Sequence, residues 1–199
     1  MNYYEMTEKL SSKTRKTFDK IVKCAKKEFS KRGYSNTSIH TIAEKAKLSV
    51  GCLYKYFGSK DELYYFIIHN EQRMIREYLN HYISFCPTRE DKEREGLRAW
   101  LYYVRENPGV YKLIWETLFI DKKAFDKYYS TFTESYTKAL FGDKDQLKME
   151  DFENVSYILI GISNFLGIKL INSDSKATDE EIKQMVDTGM AFLKNGLFK

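Results

Sequence analysis

Hydroxyl and ammonium groups are concentrated in one short stretch of the chain, SVGCLYKYFGSK at residues 49–60. Tyr54 and Tyr56 flank Lys55, and Lys60 follows closely. Tyrosine hydroxyls, lysine ammonium groups and hydroxyls at helix N-termini are donors that suit the oxygens of a phosphate backbone. Because folded proteins usually bury or disperse their tyrosines, this spacing indicates a surface that binds an anionic partner.

The charge distribution points to the same kind of partner. Residues 1–60 hold 14 Lys and Arg against 5 Asp and Glu, a balance of +9, whereas residues 61–199 hold 19 against 23, a balance of −4. A basic N-terminal third on a mildly acidic remainder indicates binding to nucleic acid or to an anionic membrane surface.

Three short predicted helices must position the basic stretch. Apolar spacing predicts the first over about 14–32, Thr37 and Ser38 can cap the second, and Ser49 can cap a third that ends near Phe57. Two short helices joined by a tight turn form a helix-turn-helix, whose second helix enters the DNA major groove. Burial of Leu53 and Phe57 would leave the other side chains of the third helix outward, with Tyr54 either exposed on a flank or partly buried against the first helix.

The rest of the chain is also predicted to be helical. With 43% hydrophobic and 31% charged residues but only two prolines, the composition favours a globular all-α protein. Capping boxes, apolar spacing and breaks predict six further helices, over about 59–85, 88–106, 108–120, 121–142, 148–171 and 178–197. We expect about nine helices in two domains, a DNA-binding domain at 1–60 and a helical ligand-binding and dimerisation domain at 61–199.

The segment FSKRGYSNTSIHTIAEKAKLSVGCLYKYFGSKDEL, residues 29–63, resembles the TetR family of bacterial transcriptional regulators. Its F…GY run, Thr/Ser cap, I-A pair, turn, S-x-G-x-L-Y-x-Y-F and S-K-x-x-L follow the order and spacing of that family. The resemblance is strong over about 14–70, and beyond it only the layout of helices matches. It implies a cytoplasmic homodimer that regulates transcription, most often as a repressor.

The resemblance also implies which residues contact DNA. Two positions depart from the family pattern: Lys47 stands where the turn usually carries Gly, and Cys52 replaces a common Thr. A left-handed Lys47 would cost on the order of 1 kcal/mol, and the base preference at Cys52 is left open. The matching positions are Thr37, Ser38, Ser49, Val50, Gly51, Cys52, Tyr54, Lys55, Tyr56 and Lys60.

The C-terminal two thirds are rich in aromatic residues, which either form an ordinary core or line a cavity for an apolar or aromatic ligand. Because TetR-like proteins hold an inducer in this domain, the resemblance favours the cavity. Glu116 and Glu134 leave the charge of the ligand open, since each could face a cation or water. The predicted pocket residues are Trp100, Tyr103, Tyr111, Trp115, Phe132, Tyr136 and Phe165.

The predicted helix that ends at Ile171 is apolar on nearly every side, so it needs cover on every side. One face can pack within its own domain while another, with the last helix, forms a four-helix interface between two copies. Two recognition helices about one DNA turn apart then imply a palindromic operator. The predicted interface residues are Ile158, Ile162, Leu166, Met185 and Phe192.

The sequence favours DNA binding over two other classes of function. An enzyme or small-molecule carrier would need a catalytic cluster, a metal-ligand spacing or a cofactor motif, and the sequence has none of these. A membrane-surface protein would need a broader apolar face on the first helix. The apolar run 155–168 is shorter than a membrane span, and MNYYEMTEKL lacks the order of a signal peptide, so we expect a cytoplasmic protein with no membrane partner and reduced cysteines.

Overall fold

The computed structural model of the chain describes residues 10–173 and 176–196, and within them it is helical with no strand. Nine α-helices follow one another in that described part, joined by short loops and one 3₁₀ turn, Lys144–Gln146. They are α1 Ser12–Arg32, α2 Ile39–Lys45, α3 Val50–Tyr54, α4 Lys60–Ile83, α5 Arg89–Glu106, α6 Pro108–Ile120, α7 Lys122–Gly142, α8 Phe152–Ile171 and α9 Asp179–Gly196. The all-α prediction is confirmed.

The chain divides into two compact units, and three helices contribute residues to both. The first unit consists of residues 1–74 and 109–126, and the second of residues 75–108 and 127–199. Helix α4 crosses the boundary at residue 74, and α7 crosses it at residue 126. Helix α6 has its first residue, Pro108, in the second unit and the rest in the first. The predicted domain division at residue 60 remains a prediction.

Aromatic packing forms the core of the first unit. Phe18 of α1 stacks on Phe57 at 5.4 Å between ring centroids and meets the edge of Phe66 at 5.3 Å. Leu53 of α3 and Ile42 of α2 are also fully buried. Leu53 and Phe57 are the two positions predicted to point inward, and both are fully buried, so α3 shares a core with α1 and α2.

In the second unit, helices α7, α8 and α9 pack around α5. The Trp100 indole N–H donates to the Ser163 carbonyl oxygen of α8 at 2.9 Å. A Cβ added at Gly189 of α9 would lie 3.2 Å from Leu97 of α5, so this glycine lets the two helices approach closely. Ion pairs Arg94–Asp187 and Arg105–Asp179 hold the same pair of helices at their surface.

Several predicted helix ends differ from the structure. Helix α3 ends at Tyr54 rather than Phe57, because the chain tightens into a turn over residues 55–56. The predicted start near residue 148 was too early, since α8 begins at Phe152 after its cap, Asp151. The predicted end at Leu197 lies outside the described residues.

Helix α8 is long and apolar enough, by length and composition, to cross a membrane, whereas the prediction from the apolar run 155–168 is that it is too short. About a third of it is buried inside the structure. One such helix is weak evidence for a membrane span, because a core helix of a soluble protein has the same composition.

Candidate nucleic-acid interface and cavity

The short helix α3 presents one polar edge to solvent. Ser49 caps it by accepting from the Cys52 N–H at 3.1 Å, and Leu53 on the inner side is fully buried. Tyr54 is 51% exposed, and its side chain, like that of Lys55, has no hydrogen bond, ion pair or ring contact within the described chain. Both donors are therefore available to an external acceptor.

The other predicted contact residues of α3 differ in exposure. Gly51 is exposed, and a Cβ built there meets nothing within 4 Å, so a large partner could approach the backbone. Val50 and Cys52 are half-buried. Tyr56 is half-buried too, its hydroxyl directed at the Thr14 carbonyl oxygen at 3.5 Å.

Of the two predicted hydroxyls before α2, only one is available at the surface. Ser38 is exposed and caps α2 by accepting from the Thr41 N–H at 3.0 Å. Thr37 is 2% exposed, and its hydroxyl donates to the Gly33 carbonyl oxygen at 2.8 Å. The prediction that Thr37 contacts a phosphate is corrected, because a buried hydroxyl with an internal acceptor cannot reach one.

Lys60 holds the loop between α1 and α2. Its ammonium group donates to the carbonyl oxygens of Tyr34 and Thr37, at 3.1 Å each, and lies 3.9 Å from the centre of the Tyr34 ring. The Tyr34 hydroxyl donates to Asp61, and desolvation together with that carboxylate raises the pKa of Tyr34 to about 12. Lys60 was predicted as a phosphate contact, but the structure gives it two internal acceptors, so its main role is to fix the approach to α2.

The turn between α2 and α3 contains the departure noted at Lys47. Its φ is 52°, in the left-handed region, while Leu48 N–H donates to the Ala43 carbonyl oxygen and Lys47 N–H to that of Glu44, both at 2.9 Å. These two bonds form a Schellman motif, which usually carries Gly at the left-handed position. The strained lysine therefore sits where the turn geometry sets the angle between α2 and α3.

Helix α6 supports the helix-turn-helix from within the same unit. The Tyr34 N–H lies 3.0 Å from both carboxylate oxygens of Glu116, and the Tyr64 hydroxyl donates to the Leu113 carbonyl oxygen at 2.9 Å. Near the start of α6, a Cβ at Gly109 would lie only 2.7 Å from the Ser30 carbonyl oxygen. The end of α1 is thus packed directly against α6.

The second unit contains a cavity of about 330 Å³. Helices α4, α5, α7, α8 and α9 line it, and most of its wall is apolar, including Leu79, Ile83, Leu97 and Leu159. Its size falls at the lower end of the range typical of small-molecule sites.

One end of the cavity holds a closed polar cluster. Buried Arg89, 3% exposed, donates to Glu93 through Nε at 2.8 Å, and the Tyr136 hydroxyl donates to the same carboxylate. Burial and the Glu93 charge raise the pKa of Tyr136 well above its ordinary value, so this hydroxyl remains a donor. Lys92 and Arg89 both pair with Asp143. Every charge in this cluster therefore has a partner.

Three of the seven predicted pocket residues, Trp100, Phe132 and Tyr136, line the cavity. Tyr103 stacks on Trp100 with 6.2 Å between ring centroids but does not reach the cavity. Phe165 is 69% exposed on the outer face of α8. Tyr111 and Trp115 belong to the first unit and do not line the cavity. These four positions are corrected.

Sequence reasoning missed Arg76, which lines the cavity from α4. Its spacing to Leu79, Asn80 and Ile83, which also line it, is i, i+3, i+4 and i+7, the signature of one helical face. A charged residue on an otherwise largely apolar face was the signal available in the sequence.

An apolar face of α8 and α9 faces solvent in the single chain. Ile158 and Phe192 of the predicted interface are exposed, Phe192 by 76%. Ile162, Leu166 and Met185 are half-buried, and Ile162 also contributes to the cavity wall. Whether a second copy covers this face remains a prediction.

Within residues 10–173 and 176–196, no group of three His, Cys, Asp or Glu side chains has a metal-binding arrangement. Cys24, Cys52 and Cys86 are free thiols.

Residues 21–65 match the family model described as "Bacterial regulatory proteins, tetR family". Over 50 residues the chain is 44% identical to the HTH-type transcriptional regulator HbdR of Aromatoleum sp. (strain CIB). That stretch is 25% of this chain and 22% of the relative, so the chain spans about a fifth of the length of this curated relative.

Solved structures match almost the whole chain. A TetR-family regulator from Mesorhizobium loti has a TM-score of 0.77 at 15% identity, covering 95% of this chain and 100% of the other. AibR, solved in complex with isovaleryl coenzyme A and operator DNA, has a TM-score of 0.69 at 17% identity, covering 88% and 97%. At these identities the structures show that the fold is shared.

Proposed function

We propose that this chain, which belongs to the TetR family of bacterial regulatory proteins, binds operator DNA through α3 and releases it when a small molecule enters the cavity. The observation that carries the proposal is the exposed edge of α3. Within the part of the chain that the structure describes, Tyr54 and Lys55 have side-chain donors with no internal acceptor.

Five of the ten predicted DNA contacts are exposed, which supports their proposed role: Ser38, Ser49, Gly51, Tyr54 and Lys55. Ser38 places its hydroxyl at the start of α2. Donors at helix N-termini position a protein on the phosphate backbone, while small residues such as Gly51 let the helix approach base edges. Val50, Cys52 and Tyr56 are half-buried and would complete the groove surface.

The protein acts as a homodimer in this proposal. The exposed apolar face of α8 and α9, with Ile158, Phe165 and Phe192, is the surface that a second copy would cover. A two-fold dimer presents two copies of α3, so its operator is palindromic with half-sites about one helical turn apart. Repression in the cytoplasm, relieved by the ligand, is the mode we propose.

The ligand acts by preferring one of two states of the dimer. A molecule can shift such an equilibrium only by the difference between its affinities for the two states. The structure of AibR with isovaleryl coenzyme A and operator DNA supports a ligand-responsive mode for this fold.

The test begins with selection of bound duplexes from a random DNA pool, followed by measurement of affinity against salt concentration. Tyr54→Phe removes one hydroxyl from each of two subunits, and each lost phosphate bond is worth about 0.5–1.5 kcal/mol, so we expect roughly 5- to 150-fold weaker binding. Lys55→Ala should reduce the slope of log affinity against log salt concentration by about 1–2. Lys112→Ala, which removes an exposed lysine of α6, serves as the matched control and should leave both unchanged.

Within the described residues, neither Tyr54 nor Lys55 has a side-chain hydrogen bond, ion pair or ring contact, so both variants should match the wild type in thermal unfolding, and loss of binding would then be due to the lost DNA contact. If Tyr54→Phe and Lys55→Ala bind the selected duplex as the control does, the proposed DNA surface is wrong.

A further inference from the structure

The cavity of the second unit contains one charged group without a partner. Arg76 is half-buried, its Nη1 atom is buried, and its side chain has no hydrogen bond or ion pair within the described chain. The other charged residues of the wall, Arg89, Lys92 and Glu93, are all paired. A buried donor of a charged group left without an acceptor is costly, so a ligand that supplies the acceptor gains that free energy on binding.

The charge balance of the wall favours an anion. Three cations and one carboxylate line the cavity, and Asp143, just behind the wall, neutralises one more cation. The remaining net charge of +1 corresponds to Arg76, because the cluster around Glu93 is internally balanced. A cationic ligand would therefore meet an unpaired positive charge with no carboxylate left to receive it.

Arg76 and the paired cluster lie at opposite ends of the α4–α5 pair. Tyr78 packs near Tyr103 at 5.6 Å, and the Ile83 methyl group lies 3.6 Å from the Cβ position of Gly96. The two helices are thus antiparallel, and Arg76 is level with the last turn of α5 whereas Arg89 is its first residue. At 1.5 Å per residue the separation along the axes is on the order of 20 Å.

Between the two ends the wall is apolar, from Leu79 and Ile83 on α4 to Leu97 and Trp100 on α5 and Phe132 on α7. A cavity of about 330 Å³ drawn out in this way is narrow. With about 30 Å³ for each small nonhydrogen group, taking a water molecule as the measure, it accommodates on the order of ten such groups. An unbranched or flat apolar body fits this space better than a bulky one.

We propose that the effector of this protein is an anionic amphiphile of about this size, a medium-chain or aryl carboxylate whose head group pairs with Arg76. The guanidinium group offers two parallel N–H donors to a carboxylate, a geometry that lysine cannot reproduce. The apolar tail runs toward the Glu93 cluster and replaces water along Leu79, Leu97 and Phe132. This inference deepens the proposed function, on which it rests for the role of the ligand.

The test uses eight-carbon probes that differ only in the head group: octanoate, octan-1-ol and octylamine. Binding to the full chain, without DNA, is measured by calorimetry and by the change in tryptophan fluorescence, to which Trp100 in the cavity wall should contribute most. We expect octanoate to bind at least tenfold more tightly than the alcohol and the amine. Arg76→Gln should weaken octanoate binding by about 10- to 100-fold, while changing the affinity for the alcohol by less than about threefold.

Arg94→Gln is the matched control, because Arg94 is in the same unit but outside the cavity and pairs with Asp187 at the surface. It should leave octanoate binding unchanged. Binding of a fourth probe, octanoyl coenzyme A, is measured in the same way. If Arg76→Gln weakens the thioester but octanoate does not bind, the anion at Arg76 is a phosphate of the nucleotide, and the anionic site stands with a different source.

Three results would overturn the inference: equal octanoate affinity in Arg76→Gln and wild type, tightest binding by octylamine, or no binding of either octanoate or octanoyl coenzyme A. Operator binding by ligand-free Arg76→Gln is measured separately and should equal that of the wild type. A chain that binds the probes but no duplex would refute the proposed function and leave the cavity assignment intact.

Discussion

Replacing Gly109 by alanine tests whether the end of α1 rests directly on α6. A Cβ at this position would lie 2.7 Å from the Ser30 carbonyl oxygen and 2.8 Å from the Ser30 Cβ. Ordinary van der Waals contacts of a Cβ begin at 3.4 Å. Because the nearest atom is backbone, the overlap of about 0.7 Å cannot be relieved by rotating a side chain, and the two helices must move apart.

The magnitude follows from two opposing effects. Forcing a methyl group into a packed interface costs about 1–3 kcal/mol. Alanine also favours the helix over glycine by up to about 1 kcal/mol. The net loss of unfolding free energy is therefore about 1–2 kcal/mol, which for a chain of this length lowers Tm by roughly 2–8 °C.

The assay pairs thermal unfolding with operator binding at a temperature where all variants are folded. Gly142→Ala is the matched control, since Gly142 is also helical and a Cβ there meets nothing within 4 Å. That variant should be unchanged or slightly more stable. In Gly109→Ala the displaced α6 should also weaken the bond from the Tyr34 N–H to Glu116, so we expect a lower operator affinity.

Equal Tm values for Gly109→Ala and Gly142→Ala would refute the close approach of α6 to α1. A lower Tm with unchanged operator affinity would refute the second step, in which α6 positions the loop that leads into α2.

Two further predictions concern the turn and the apolar face. Lys47→Gly should raise Tm by about 2–4 °C, because relief of the left-handed strain, about 1–2 kcal/mol, exceeds the cost of the added entropy of the unfolded chain, about 0.4–1 kcal/mol. The control Lys45→Gly, in the regular helix α2, should lower Tm. A Tm change of the same sign in both variants would show that the strain at Lys47 is absent. Ile158→Glu should convert a dimer into monomers in light-scattering measurements and abolish operator binding, because the carboxylate would be buried in the proposed interface. Phe119→Glu is the control, because Phe119 is also apolar and more exposed than Ile158 but lies on α6. It should neither dissociate the dimer nor abolish operator binding. A dimer that survives Ile158→Glu would place the interface elsewhere.

The helix-turn-helix could be predicted because its determinants are local. The Ser38 and Ser49 caps and the inward Leu53 and Phe57 each depend on residues within four positions in the sequence, and the structure has all of them. The roles of Thr37 and Lys60 could not be predicted in this way. The Thr37 hydroxyl also lies 3.3 Å from the Glu28 carbonyl oxygen, nine residues away, and the acceptors of Lys60 lie 23 and 26 residues away, at distances set by how the loop after α1 folds back on α4.

The cavity was harder to predict because an aromatic residue carries no sign of which side of a helix will be covered. Helix α8 is apolar nearly all round, so Phe165 on its outer face looked the same as the residues that line the cavity. Trp115 is as apolar as Trp100 but belongs to the first unit. Arg76 was the more informative residue, because a charge on an apolar face has few explanations other than a partner or a ligand.

Helix α4 carries the residues on which the proposed response depends. Tyr64, in the first unit, bonds through its buried hydroxyl to the Leu113 carbonyl oxygen of α6, and Arg76, in the second unit, follows twelve residues later in the same helix. Driving a dimer from nearly all bound to nearly all released requires about a 10⁴-fold preference of the ligand for the released state. One head-group contact at Arg76 contributes about 10- to 100-fold, so two copies reach that preference only at the upper limit. The apolar tail must therefore also be bound more tightly in the released state. A short carboxylate would then occupy Arg76 without releasing DNA, and the length of the tail, rather than the head group, would decide which anions act as effectors.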